Sequence, residues 1–166
     1  DEFISGDYND VSKIKEFIDK VDVITFEFEN IPYETLKKLN NLKKVIPNPE
    51  INKIIQNRLT EKDFINNLNI KTTEYKFIKN IEDIKKNSDL IPGILKTCTL
   101  GYDGKGQYKI NNLDEIQNLK IDFKKKYILE KLVDLKKEIS VIITRFDKQR
   151  YEIYEPIENK HLNQIL

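Results

Sequence analysis

Three of the five glycines in this 166-residue chain fall within six positions, at Gly101, Gly104 and Gly106. They lie in Lys96-Thr-Cys-Thr-Leu-Gly-Tyr-Asp-Gly-Lys-Gly-Gln107. Glycine adopts positive φ and lets a backbone approach another group closely. The apolar run Leu90-Ile-Pro-Gly-Ile-Leu95 leads into the cluster, and Gln107 to Ile110 leads out of it. The pattern predicts strand, loop, strand, with Lys96 at the end of the first strand. Successive backbone N–H groups in such a loop can surround phosphate oxygens, and Lys96 sets an ammonium beside them. A hairpin turn is the plain alternative, since Asp103-Gly104 is a good turn dipeptide.

The segments on either side differ in character. Val11, Ile14, Phe17, Ile18 and Val21 recur at helical spacing, with Asp10 placed to cap the helix. Val23-Ile-Thr-Phe-Glu-Phe28 reads as a strand. Pro32 suits the first turn of a helix over Tyr33 to Leu42. Lys44-Val-Ile46 reads as a short strand and Pro47-Asn-Pro49 as a break. Helix, strand, helix, strand implies a parallel α/β layer. Residues 1–50 fall short of a doubly wound domain, which takes on the order of 100 residues, so an upstream strand and glycine turn are expected outside the chain.

From Glu50 onward the pattern is α+β and antiparallel. Ile51 to Gln56 and Leu59 to Leu68 read as helical pieces, Thr72 to Ile78 as a strand, and Asn80 starts a helix to about Lys86. Beyond the glycine loop, Asn112 caps a predicted helix over Leu113 to Leu119. Tyr127 to Glu130, Glu138 to Thr144 and Tyr151 to Tyr154 read as strands. Lys120 to Lys126 reads as a solvated connection.

Composition excludes several classes. Lys+Arg 29 against Asp+Glu 28 leaves a net charge of +1, so no overall field favours nucleic acid or an anionic membrane. No apolar run approaches the ~20 residues that span a bilayer, and no secretory signal is visible. Cys98 is the single cysteine, which fits a reducing, cytoplasmic setting. The chain opens at Asp1 and stops at Leu166 in patterned sequence, which reads as a fragment. Neither Gly-x-Ser-x-Gly nor a P-loop motif is present.

Six charged residues stand at the edges of apolar elements: Arg58, Lys96, Glu130, Glu138, Glu158 and His161. Arg58 and Lys96 can supply positive charge to a triphosphate, Arg as a bidentate fork and Lys as a point charge. Glu130 closes Tyr-Ile-Leu-Glu and is followed by Lys131-Leu132-Val133, a segment able to present backbone groups to an adenine edge in an apolar slot. Glu138 can accept hydrogen bonds from ribose hydroxyls. Glu27 and Glu29 alternate with Phe26 and Phe28, so a strand there turns both carboxylates to one face, at the end where α/β sheets bind ligands. His161, the only histidine, lacks the companions of a zinc site but suits a general base or an anion partner. Each of these residues also reads as an ordinary surface charge.

In order, the words Asp22-Val-Ile-Thr-Phe-Glu-Phe-Glu-Asn-Ile-Pro32, Asn57-Arg-Leu-Thr-Glu-Lys62, Gly101-Tyr-Asp-Gly-Lys-Gly-Gln107, Ile128-Leu-Glu-Lys-Leu-Val133, Lys137-Glu-Ile-Ser-Val141 and Tyr154-Glu-Pro-Ile-Glu-Asn-Lys-His161 resemble the N5-carboxyaminoimidazole ribonucleotide synthetase family of ATP-grasp enzymes. The resemblance implies the end of a Rossmann-like preATP-grasp domain over residues 1–50 and a truncated ATP-grasp domain over 51–166. It implies ATP-dependent carboxylation of aminoimidazole ribonucleotide with bicarbonate in purine biosynthesis. Another ATP-grasp carboxylase or ligase, or a non-catalytic nucleotide-binding module, stays open beside it. By the same resemblance, Arg58, Lys96, Gly101, Gly104 and Gly106 contact or cover the ATP phosphates. Glu130, Lys131 and Val133 form the adenine hinge, and Glu138 holds the ribose. Tyr102, Lys105 and Glu27 or Glu29 face the ribonucleotide or the bicarbonate-derived species, and His161 sits near the transferred group, with Lys105 and His161 in catalytic roles. The family uses Mg2+, whose ligands, like part of any homodimer interface, are expected outside this chain, and the fragment alone is expected to be inactive. Leu100 stands where the family usually has glycine, which predicts a stiffer start to the loop.

Overall fold

The computed structural model of the chain describes residues 2–101 and 105–160. Helix α1 (Val11–Ile18) starts at Asp10, whose side chain accepts from the N–H groups of Ser12 and Lys13, donors that no helical carbonyl can reach. Strand β1 (Val23–Thr25), helix α2 (Tyr33–Asn40) and strand β2 (Lys44–Ile46) follow. The two strands run parallel with Ile24 opposite Val45, and these two residues with Leu36 and Leu39 form a small buried core. That is the parallel layer the element order implies.

Strand β1 is shorter than its apolar run. It ends at Thr25, where its partner ends at Ile46, and Pro47, which has no N–H, cannot extend the ladder. Glu27 and Glu29 therefore lie on the connection to α2. The strand alternation expected to turn them to one face does not apply.

Helices α3 (Pro49–Ile55), α4 (Arg58–Asn67) and α5 (Ile81–Lys86) and strands β3 (Tyr75–Ile78), β4 (Gly93–Thr97), β5 (Gln107–Ile110) and β6 (Tyr127–Lys131) follow. The four strands form one sheet in the order β3-β6-β4-β5, antiparallel throughout. Side chains alternate across the pleat. Ile78, Leu95, Ile110, Tyr127 and Leu129 enter the main core with Ile84 and Ile116. Tyr75, Ile128, Glu130, Ile94 and Lys96 belong to the opposite face, as their register requires.

Several boundaries differ from expectation. The helix expected over Leu113 to Leu119 is a 3-10 turn at Asp114–Asn118. There Asn112 Oδ1 accepts from the Glu115 N–H, and the Glu115 carboxylate accepts from the Asn111 N–H. This reciprocal cap starts a helical turn, which ends at once because Leu119 turns to extended backbone. Helices α1 and α2 stop earlier and β3 starts later than their apolar patterns suggest. The expected strand from Glu138 to Thr144 is two strands, β7 (Glu138–Ser140) and β8 (Ile143–Arg145), separated at Val141 and Ile142. They pair with β10 (Ile157–Asn159) and β9 (Tyr151–Ile153) respectively. Strand β10, which follows Pro156, has no counterpart among the expected strands.

Leu129 is fully buried on the central strand, whereas Leu113 is 41% exposed. Leu129→Ala is expected to cost about 2–5 kcal/mol through lost transfer energy and the cavity it leaves. Leu113→Ala is expected to stay within about 0.5 kcal/mol. Urea unfolding of both variants checks this, with the loss appearing as a lower midpoint at unchanged slope.

Candidate functional site

A carboxylate held between two ammonium groups lies on the sheet face opposite the main core. Lys96 on β4 stands opposite Ile128 on β6, and Glu130 stands opposite Ile94. Lys96 and Glu130 are therefore diagonal neighbours on one face. Lys96 Nζ lies 2.7 Å from Glu130 Oε2, and Lys62 Nζ from α4 lies 3.2 Å from Glu130 Oε1. The Glu130 side chain is 8% exposed, Lys62 16% and Lys96 23%. Helix α4 is fixed over this face through Tyr75. Its ring lies 5.4 Å below Lys62 Nζ, and its hydroxyl donates to Asp63 and accepts from Asn66 Nδ2.

Arg58 joins α4 to the start of the glycine loop. Asn57 caps the helix through the Leu59 N–H. The Arg58 N–H donates to Cys98 O at 2.8 Å. Its guanidinium donates to Thr97 O at 3.1 Å and Gly101 O at 3.0 Å. A Cβ on Gly101 would lie 2.9 Å from Thr97 Oγ1 and 3.0 Å from Arg58 Nη1, so glycine is what lets the loop meet the arginine. Gly106 has φ +73, and a Cβ there would lie 2.7 Å from Thr97 Oγ1. Leu100 also adopts positive φ, at 58, a conformation that costs a branched L-residue about 1–2 kcal/mol. The side chain of this left-handed leucine is largely in solvent, with the residue 71% exposed.

The start of the loop borders the connection between β1 and α2. Glu27, Glu29 and Leu100 line a cavity of about 590 Å3. Glu29 also lines a second cavity of about 200 Å3 with Arg58, Glu61 and Gly101. Glu29 thus shares a cavity with Arg58, and Glu27 shares one with Leu100. Burial pushes the Glu61 carboxyl above its ordinary range, against the pull of Arg58 and Lys62. Lys105 and Gly106 line a third cavity with Thr97, Cys98 and Leu100, rimmed by Lys124 to Lys126. Burial also raises the Cys98 thiol.

The remaining expected residues are dispersed. The Lys131 N–H donates to Glu74 O and the Leu132 N–H to Pro92 O, while Lys131 O accepts from Thr73 Oγ1. These bonds tie the segment after Glu130 to β3 and β4, and Val133 is half exposed. Glu138 lies on the hairpin formed by β7 and β10, where its carboxylate accepts from Asn159 Nδ2 at 3.1 Å. Glu158 pairs with Lys137. Tyr102, Gly104 and His161 lie outside the described residues. Lys62 and Glu61 escaped the sequence reading. The signal for Lys62 was its place four residues after Arg58 on one helix, which puts both on one face.

Comparison with known proteins shows the family of this chain. A family model of the ATP-grasp domain matches residues 63–166, and one of the ribonucleotide synthetase preATP-grasp domain matches residues 1–56. The chain belongs to the ATP-grasp family. It is 36% identical over 168 residues to the N5-carboxyaminoimidazole ribonucleotide synthase of Staphylococcus aureus, covering 99% of this chain and 45% of that protein. It is 36% identical over 171 residues to the bifunctional purine synthesis protein purC/E of Dictyostelium discoideum, covering 97% of this chain and 17% of that protein. The crystal structure of N5-carboxyaminoimidazole synthetase from Staphylococcus aureus complexed with ADP matches with a TM-score of 0.89 and 35% identity, over 99% of this chain and 45% of that one. The chain thus spans less than half the length of these relatives.

Two outcomes follow from the loop and its seam. Leu100→Gly exchanges a strain of about 1–2 kcal/mol for a glycine entropy cost of about 0.5–1 kcal/mol, so urea unfolding is expected to show a gain of up to about 1 kcal/mol. A loss of stability would show that the leucine side chain compensates its own strain. Glu61 has a raised folded pKa, so its ionisation opposes folding. Below its ordinary value of 4.5 the penalty is absent, and it grows as pH rises through the folded value. Glu61→Gln is therefore expected to raise the unfolding midpoint at pH 7 and to leave it unchanged near pH 4, read from unfolding curves across that range.

Proposed function

We propose that this chain carries the nucleotide-binding part of an ATP-dependent ligase that carboxylates 5-aminoimidazole ribonucleotide with bicarbonate, giving N5-carboxyaminoimidazole ribonucleotide, ADP and phosphate. The observation that carries the reading is the Lys62–Glu130–Lys96 cluster beside a glycine loop tied down by Arg58. The similarity to a Staphylococcus aureus enzyme solved with ADP supports it. In this reading residues 1–50 end a Rossmann-like domain and 51–166 begin the ATP-grasp domain. The chain acts in the cytoplasm on small molecules and takes part in a homodimer at the length of its relatives.

Each role rests on charge and position. Lys96 uses donors not engaged by Glu130 to meet phosphate oxygens. Arg58 positions the loop through two carbonyls and turns its remaining N–H groups to the same anion. Gly101, Gly104 and Gly106 let loop amides approach the phosphates. The segment Glu130, Lys131 and Val133 borders the adenine, and Glu138 holds the ribose. Glu29, with Glu27 beside it, Tyr102 and Lys105 face the ribonucleotide, and His161 stands near the group transferred. Such preorganised charge stabilises phosphoryl transfer to bicarbonate and then attack by the ribonucleotide amine, without reorganisation at the moment of reaction. Mg2+, when bound, neutralises phosphate charge. Among the described residues no group of three or more His, Cys, Asp or Glu side chains could hold a metal ion, so no step is assigned to one here. No helix among the described residues is long and apolar enough to cross a membrane.

Lys96→Ala and Arg58→Ala are each expected to weaken ADP binding by roughly ten- to a hundredfold, the scale of a lost charge-assisted contact. Calorimetric titration checks this, and unchanged affinity in both variants would remove them from the phosphate site. The reaction class is checked in a chimera in which this segment replaces the matching part of the Staphylococcus aureus enzyme. Phosphate release should require both aminoimidazole ribonucleotide and bicarbonate.

A further inference from the structure

The buried cluster on β6 holds two cations and one anion. Glu130 has two carboxylate oxygens, and each is engaged by a different lysine, Oε2 by Lys96 at 2.7 Å and Oε1 by Lys62 at 3.2 Å. The three side chains sum to one net positive charge in a largely enclosed place. The low local dielectric strengthens the pull of that charge on an incoming anion. Lys62 is itself held in place. It rises from α4 over the Tyr75 ring, and Asp63 and Asn66 of the same helix bind the Tyr75 hydroxyl.

We infer that Lys62 is a positioning residue of the phosphate subsite, one that acts through Glu130 on Lys96; the inference rests on the nucleotide reading above. With Lys62 present, Glu130 divides its charge between two ammonium groups, and Lys96 keeps positive charge and donors for an incoming polyphosphate. Without Lys62, both oxygens of Glu130 are left to Lys96. The pair then closes to neutrality, and a phosphate must compete with a carboxylate for the same ammonium. Glu61, next to Lys62 on α4, shares its field with Arg58, Lys62 and Glu130. A neutral residue at position 62 would remove one of the two cations that act on Glu61.

The test is calorimetric titration of ADP into the 166-residue chain and its variants. Lys62→Met is expected to weaken ADP binding about tenfold, the scale of one charge-assisted contact, and Lys62→Arg to restore it to within about threefold. The discriminating measurement is the double-mutant cycle with Glu130→Gln. If Lys62 acts through the Glu130 charge, Lys62→Met has little further effect once that charge is gone. An equal loss in both backgrounds, or none in either, overturns the inference. Circular dichroism and melting verify the fold, and Lys62→Gln takes the place of Lys62→Met if the methionine variant does not fold. If the unmodified chain and Lys96→Ala titrate alike, the nucleotide reading itself fails. If Lys96→Ala weakens binding and neither neutral variant at Lys62 does, only the inference falls.

Discussion

Much of the structure on the side away from the main core depends on one buried carboxylate. Glu130 stands near the end of the central strand of a four-stranded antiparallel sheet, and its two oxygens tie β6 to β4 through Lys96 and to α4 through Lys62. Removing one partner of such a buried pair is costly, commonly about 3–5 kcal/mol, because the other charge is left uncompensated. A well-packed apolar residue would close the same space without that liability. The arrangement is therefore better explained by a task that needs charge there than by stability alone. The side chains on the other face of β6, Tyr127 and Leu129, are apolar and buried. One strand thus serves two purposes on its two faces, and β pleating keeps them apart.

The glycine loop is held by a different kind of bond. Arg58 carries a full charge, yet its guanidinium is directed at two backbone carbonyls, Thr97 O and Gly101 O. Those contacts fix the near end of the loop relative to α4, and the close approach at Gly101 leaves no room for a Cβ. Since Lys62 follows Arg58 by one helical turn, the helix that anchors the loop also supplies the second cation on Glu130. Loop position and site charge are in this way set by one rigid element, which favours preorganisation of an anion site.

Much of this was legible in the sequence. The strand-loop-strand unit followed from clustered glycine and flanking β-branched residues, and β4 pairs with β5 as that pattern requires. The parallel pairing of β1 and β2 followed from element order. What escaped was set by tertiary contacts. The end of β1 at Thr25 depends on Pro47, which follows its partner strand, not on the residues Phe26 to Phe28, which carry strong strand propensity. Propensity is context-dependent where pairing decides. The Glu130 cluster was invisible because its three members come from separate words of the sequence. Only the register of β4 on β6 brings Lys96 and Glu130 onto one diagonal.

The two ends of the candidate cleft are built to different standards of rigidity. On one side, Lys96 and Glu130 rise from a sheet backed by the main core, and Arg58 from a helix tied to that sheet by an ion pair and hydrogen bonds. On the other side, Glu138 sits on β7, which pairs only with β10 among the described residues, and its carboxylate meets Asn159. Ile139, Ile143, Phe146, Tyr151 and Ile153 along these outer hairpins are exposed. Two-stranded pairs without a buried face are marginal in water, so backbone hydrogen bonds carry most of the order there. The Lys96, Glu130 and Arg58 side is therefore preformed, while the placement of Glu138 depends on how the outer hairpins are covered. For a nucleotide site that order is physically sensible: the densest charge meets the most rigid elements, and the contact that tolerates adjustment falls on the element with the fewest constraints.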